Sequence, residues 1–154
     1  MLKMKNITKL FLYLNLCLTL LACSKISPKG EIEVKDVTVE NFTKLNLKGD
    51  FKVFFAKGNQ NLVSVETYPN VYKNLDIEVE NGILTIEENR KTDQVDFYNI
   101  TIFGKNDLNE VSLSDKVEMN VSGQVKTPEF SLHLKGNSKF MGAVIAPKSK
   151  IEMA

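Results

Sequence analysis

The sequence holds no tryptophan, one histidine, one arginine and two cysteines among its 154 residues. Each scarcity removes a class of chemistry. With His133 as the sole histidine, neither a histidine-based zinc site nor a Ser-His-Asp triad can be assembled. Arg90 stands alone, and no Lys/Arg run is interleaved with aromatics, so nucleic acid is not an expected partner. Cys17 and Cys23 both lie near the start of the chain. If Cys17 leaves with a leader and Cys23 carries lipid, the folded part has no thiol for a disulfide, a metal or a nucleophile. No catalytic residue, cofactor or metal is expected, and the chain does not read as an enzyme.

Long apolar runs are scarce as well. The one present is residues 10–22, LFLYLNLCLTLLA, preceded by the basic segment MLKMKNITK. Thirteen residues are too few to span a bilayer as a lasting helix, and the order basic, leucine-rich, small residue is that of an export signal. It ends in Leu20-Leu21-Ala22-Cys23, which resembles the lipobox of bacterial lipoproteins, although Leu at the second position before the cysteine is less usual there. We therefore expect a signal peptide over residues 1–22 and lipidation of Cys23. The membrane partner is then lipid on Cys23, with the outer membrane of the cell envelope as the expected address. The three lysines before residue 23 account for the net charge of +1; without them 17 basic residues face 19 acidic ones.

Residues 23–30 are polar, contain Pro28 and Gly30, and read as a lipidated tether standing between the membrane and a domain over 31–154. That domain alternates with period two in short runs: Ile32 and Val34, Leu45 and Leu47, Phe51, Val53 and Phe55, Val63 and Val65. Ile77 and Val79 lead into Asn81-Gly82, and Leu84 and Ile86 leave it, which predicts a hairpin. One helical turn is expected over Asn70 to Asn74, after Pro69. The class is all-β.

In the last third, Val111, Leu132 and Met153 recur at an offset of 21, as do Leu113 and Leu134, and Phe130 and Ile151. A unit of about 20 residues giving one apolar-x-apolar strand is what a β-solenoid requires, with an antiparallel sandwich as the alternative. The chain stops at Ile151-Glu152-Met153-Ala154, where a new strand begins, so we expect a truncated solenoid that self-associates through its C-terminal edge.

Four stretches carry a family resemblance. These are Phe42-Thr43-Lys44-Leu45 with Leu47-Lys48-Gly49-Asp50-Phe51-Lys52-Val53 and Lys57-Gly58-Asn59; Asn81-Gly82-Ile83-Leu84-Thr85-Ile86; Asn99-Ile100-Thr101-Ile102; and Leu134-Lys135-Gly136-Asn137-Ser138. From about Val37 onward the sequence resembles the auto-transporter adhesin head GIN domain family, exported proteins and lipoproteins common in Bacteroidota. The resemblance implies a right-handed parallel β-helix-like fold with an antiparallel N-terminal part, and brings no catalytic or binding residues. It departs from the family at Leu113-Ser114-Asp115, where a glycine is usual.

Candidates for chemistry are few. Tyr68, Tyr72, Phe97 and Tyr98 sit near expected turns and could stack on sugar rings, which makes a glycan or a surface protein the ligand to consider. Phe97 and Tyr98 are adjacent, so a strand there would expose one and bury the other. Asp93, Asp96, Asp107 and Asp115 match no calcium-loop spacing and read as solvated turn carboxylates. His133, between Leu132 and Leu134, should face solvent. The sequons at Asn41, Asn99 and Asn120 are what β-structure places at its turns anyway. The expected function is a membrane-anchored, non-enzymatic adhesin-like or scaffolding domain, with a glycan or surface-ligand binding module as the alternative and a carbohydrate-active enzyme a distant third.

Overall fold

A computed structural model describes residues 24–154; the expected signal peptide and Cys23 lie outside the described residues. The chain runs through β1 (Glu33–Thr38), β2 (Lys44–Gly49), β3 (Lys52–Lys57), β4 (Leu62–Thr67), a one-turn helix α1 (Pro69–Tyr72), β5 (Leu75–Glu80) and β6 (Ile83–Glu88). It continues through β7 (Asn99–Gly104), β8 (Glu110–Asp115), β9 (Glu118–Lys126), β10 (Glu129–Leu134), β11 (Lys139–Ile145) and β12 (Lys148–Met153). The all-β expectation holds. The expected helical turn begins at Pro69, whose fixed φ suits a first helical position.

The strands form two mixed sheets of six. One has the order β1-β4-β7-β3-β9-β11, the other β12-β10-β8-β2-β6-β5. Parallel pairing fills the interior of both sheets, and antiparallel strands lie at one edge: β1 on β4, β4 on β7, and β5 on β6. The hairpin expected at Asn81-Gly82 joins β5 to β6, with positive φ at both turn residues. Sequence order and spatial order differ. The early pair β2 and β3 lies between β6 and β7 on one side and β8 and β9 on the other.

Register follows the alternation. In one sheet Leu84, Leu45, Val111, Leu132 and Ile151 align in one row, and Ile86, Leu47, Leu113, Leu134 and Met153 in the next. In the other sheet Ile100, Val53, Met119 and Phe140 align. These rows turn inward and join in a single buried cluster. Each fully buried Leu, Val or Phe contributes about 1.5–3 kcal/mol, so the rows are the main favourable term. Burial fades toward the β11–β12 edge, where Leu132 is buried but Ile151 is 63% exposed and Met153 79%, and at β1, where Val34 is exposed.

Outward positions carry a second code. Lys44 and Glu110, Lys48 and Glu87, Glu118 and Lys139, and Glu129 and Lys148 are each ion-paired and each in register on neighbouring strands. Exposed pairs contribute little singly, about 0–1 kcal/mol. A slipped register would leave most of them unpaired, so their effect is on alignment.

One sequence expectation is corrected by the register. The offset of 21 holds from β8 to β10, where Val111 meets Leu132 and Leu113 meets Leu134. It fails from β10 to β12, where Leu132 meets Ile151 rather than Met153, and Phe130 meets Ser149 rather than Ile151. The cause is a bulge: Val121, Ser122 and Gly123 of β9 oppose the single Gly142 of β11, so one unit is two residues longer than the next. Residues 24–30 make contacts with the domain. Ile26 packs against the core and bridges to Thr92, Lys25 pairs with Asp93 at 3.1 Å, and the Lys29 amide donates to Asn70 Oδ1 at 2.8 Å. The segment is laid along the domain because Ile26 has an apolar site to fill.

Candidate functional site

Three turns stack at one corner of the molecule: Gly49-Asp50 between β2 and β3, Asp115-Lys116 between β8 and β9, and Gly136-Asn137-Ser138 between β10 and β11. Backbone bonds lock them one upon another. The Lys116 amide donates to Gly49 O at 2.9 Å, and the Asn137 amide to Asp115 O at 2.7 Å. The loop from Glu88 to Asn99 closes over this corner, held by the Lys52 amide donating to Tyr98 O at 3.0 Å. Between loop and turns lies a cleft of about 670 Å³, lined by residues including Asp50, Lys52, Asp96, Asn99, Lys116, Asn137 and Ser138.

Most of its charge is internally matched. Lys116 meets Asp50 at 2.8 Å, an interaction that raises the lysine's pKa, and Lys139 meets Glu118 at 2.6 Å and lowers the carboxylate's. Beneath the cleft, Glu88 accepts from the Asp50 amide at 3.1 Å and from Thr92 Oγ1 at 2.9 Å. Burial nevertheless holds its carboxyl above the ordinary 4.5. The Tyr98 ring stacks at a tilt on Phe51, with centroids 5.4 Å apart. Its hydroxyl approaches Glu88 without reaching hydrogen-bond geometry and is raised well above its usual range, mainly by burial. Gly49 makes this packing possible: a Cβ there would stand 2.5 Å from the Phe51 ring and 2.8 Å from Glu88 Cγ.

The aromatics singled out in the sequence are divided by the fold. Phe97 is 47% exposed beside the cleft and Tyr98 is buried, the in-and-out split expected of neighbours on an extended segment. Tyr68 caps the start of α1 and Tyr72 is its last residue, both half-buried against the core. Thr67 Oγ1 donates to Phe97 O at 2.8 Å, tying the loop to the end of β4. Asp93 pairs with Lys25, Asp107 with Lys57 at 2.7 Å, and Asp96 and Asp115 are exposed near the corner. Among the described residues, no group of three acidic, His or Cys side chains is placed to hold a metal. His133 is on β10, its Nδ1 2.8 Å from Glu152. Sequence reasoning did not single out Glu88 or Asn137, because an acid ending a strand and an amide in a turn look like solvent-facing residues until the loop covers them.

Residues 41–154 match the family described as "Putative auto-transporter adhesin, head GIN domain". The chain belongs to that family. Solved structures of similar fold include a protein from Bacteroides fragilis described as a "putative adhesin", at a TM-score of 0.76 and 15% identity over 83% of this chain and 61% of that one. A "putative lipid binding protein" from Parabacteroides distasonis gives 0.67 and 17% over 83% and 63%. A "putative adhesin" from Parabacteroides merdae gives 0.63 and 15% over 84% and 61%. At these identities the likeness is one of fold. The chain spans about three-fifths of the length of these structures. No curated protein matches it significantly.

Proposed function

We propose that this chain is an envelope lipoprotein, anchored in the outer membrane by lipid on Cys23, that presents a non-enzymatic adhesin-like or scaffolding β-domain. The observation that carries the anchor is the leader, with its basic start, leucine-rich run and Ala22-Cys23 junction. Two or three acyl chains at one cysteine hold a protein on a membrane where a single chain does so only marginally. Family membership supports the adhesin-like part, as do the descriptions of the Bacteroides and Parabacteroides structures. The pairing of acids with bases in the corner cleft supports a surface without catalytic machinery.

The architecture proposed with it is a right-handed β-helix-like solenoid. Successive pairs β2–β3, β8–β9 and β10–β11 each place one strand in either sheet and advance by one strand position, and parallel crossovers are right-handed in about 98% of cases. A second reading, a glycan or other surface ligand, draws on the cleft beside the exposed Phe97 ring, where Asn99, Asn137 and Ser138 offer amides and a hydroxyl.

The test of the anchor is Cys23→Ser in the full chain. The variant should lose incorporation of labelled fatty acid and leave the membrane fraction. Label retained on the serine variant would overturn the reading.

A further inference from the structure

Three segments meet where β5 begins and β6 ends: residues 25–29, residues 70–74 around α1, and residues 89–93 at the start of the loop after β6. Two asparagines join them. Asn70 accepts from the Lys29 amide at 2.8 Å and donates to Ser27 O at 2.8 Å. Asn74 accepts from the Arg90 amide at 3.0 Å and donates to Arg90 O at 2.6 Å. Ile26 completes the join, its amide donating to Lys91 O and its carbonyl accepting from the Asp93 amide, both at 2.9 Å. The surface these segments share is basic. Lys25, Lys29, Lys73, Arg90 and Lys91 are all exposed, and Asp93 is the one acid within the three segments. Among the described residues only Lys25 of the five meets a carboxylate, Asp93 at 3.1 Å. From residue 24 onward the chain has 17 bases and 19 acids, so outside this patch 12 bases face 18 acids.

The same patch receives the chain from Cys23. That cysteine is three residues before Ile26, and three residues of extended chain reach at most about 11 Å. Because Ile26 is pinned, acyl chains on Cys23 would hold the hydrocarbon boundary within that reach of the patch. The headgroup layer of one leaflet fills much of this gap, being about 5–8 Å deep. We propose that the domain lies on the membrane, with this basic patch seated on anionic lipid headgroups and the opposite strand ends, at Lys57, Gly104 and Lys126, turned away. The proposal rests on lipidation of Cys23.

Charge selects the occupant. A base held near an anionic bilayer strengthens attachment about five-fold, and the attraction fades within a Debye length, about 8 Å in physiological salt. Five bases against one acid lie inside that range once the anchor is in place, whereas the acidic remainder of the domain is repelled by the same surface. The patch does not have to capture the domain from solution, because the anchor already confines it at high effective concentration. Its effect is on which way the domain faces. The asparagine bridges make that orientation definite, since they fix the exit of the chain and four of the five bases to one rigid unit.

The experiment adds the full acylated chain to preformed vesicles of phosphatidylcholine, alone or mixed with phosphatidylglycerol. A membrane-impermeant amine reagent is applied, and each lysine is read by mass spectrometry. With phosphatidylglycerol present, Lys29, Lys73 and Lys91 should be modified several-fold more slowly than on neutral vesicles. Lys105 and Lys126, at the opposite strand ends, should react at the same rate on both. Salt at 1 M, where the Debye length is about 3 Å, should abolish the difference. The triple variant Lys29→Glu, Lys73→Glu and Lys91→Glu should melt as the parent does and stay in the vesicle pellet through its acyl chains, with its Lys25 reacting alike on both vesicles. Equal rates on the two vesicles for the acylated parent would overturn the seating and leave the anchor standing. A parent that carries no acyl group and stays out of the pellet would overturn the anchor, and the seating with it.

Discussion

Leu132 and Ile151 are register partners although nineteen positions separate them, two fewer than separate Leu132 from Val111. The difference is taken up at the bulge, where Val121 to Gly123 face Gly142. A Cβ on residue 142 would stand 2.8 Å from Val121 Cβ, closer than two carbons approach. Gly142→Ala should therefore destabilise the domain by about 1–3 kcal/mol, and Val121→Gly, which removes the clashing Cβ, should cost less in the Gly142→Ala background than in the parent. Denaturant melts around the double-mutant cycle measure it, and additive effects would mean the strands shift apart instead.

Leu132 and His133 are neighbours with opposite duties. Leu132 is buried in a core row, and His133 lies half-covered on the outer face, its Nδ1 against Glu152. Leu132→Ala should cost about 2–5 kcal/mol by transfer and cavity terms. His133→Ala removes one partly exposed contact with Glu152 and should stay within about 1 kcal/mol. Urea midpoints in the reverse order would place the alternation on the wrong face.

Glu88 makes stability depend on pH in an unusual sense for a carboxylate. Burial chiefly holds its carboxyl above 4.5, with the Thr92 hydroxyl and the Asp50 amide pulling the other way. The folded chain thus binds this proton more tightly than the unfolded one. The stability it contributes is complete below pH 4.5 and is lost as pH rises through the elevated value. Glu88→Gln keeps the size and an acceptor but not the titration. Between pH 4.5 and 8, the parent should lose stability relative to the variant. Identical pH profiles for the two would show that the carboxyl is solvated.

Asp107 should behave oppositely. The Lys57 ammonium bonded to it lowers its carboxyl below the ordinary 3.8. Its contribution is present above 3.8 and is lost as pH falls through the lowered value. Asp107→Asn should accordingly be most destabilising near neutral pH and nearly silent in strong acid, read from thermal melts across that range.

Much of the local structure was legible in the sequence. The strands over Leu45–Leu47 and Val53–Phe55 and the Asn81-Gly82 hairpin follow from alternation and turn chemistry, which act between near neighbours. The offset from Val111 to Leu132 was legible for the same reason, since repeated units bury repeated residues. The shorter unit that follows was not, because Ser122-Gly123 reads as a turn and only the facing strand reveals it as a bulge. The place of β2 between β6 and β8 was equally hidden, for no short-range signal states which parallel strand an edge will accept. The corner cleft shares that difficulty, being made by turns from three units and a loop that meet only after stacking.

The central position of β2 and β3 bears on how the chain acquires its shape. They are synthesised early, yet their lateral partners are the later β6–β7 and the still later β8–β9. Until residue 119 or so has emerged, the β8–β9 side of this pair stays open. Closing such distant contacts is entropically slow, and the barrier rises with the separation along the chain. A nascent chain should therefore lack complete sheets until the strands beyond residue 110 have emerged. That delay would suit the export proposed for this chain, in which it is threaded unfolded through a channel before its later strands complete the sheets.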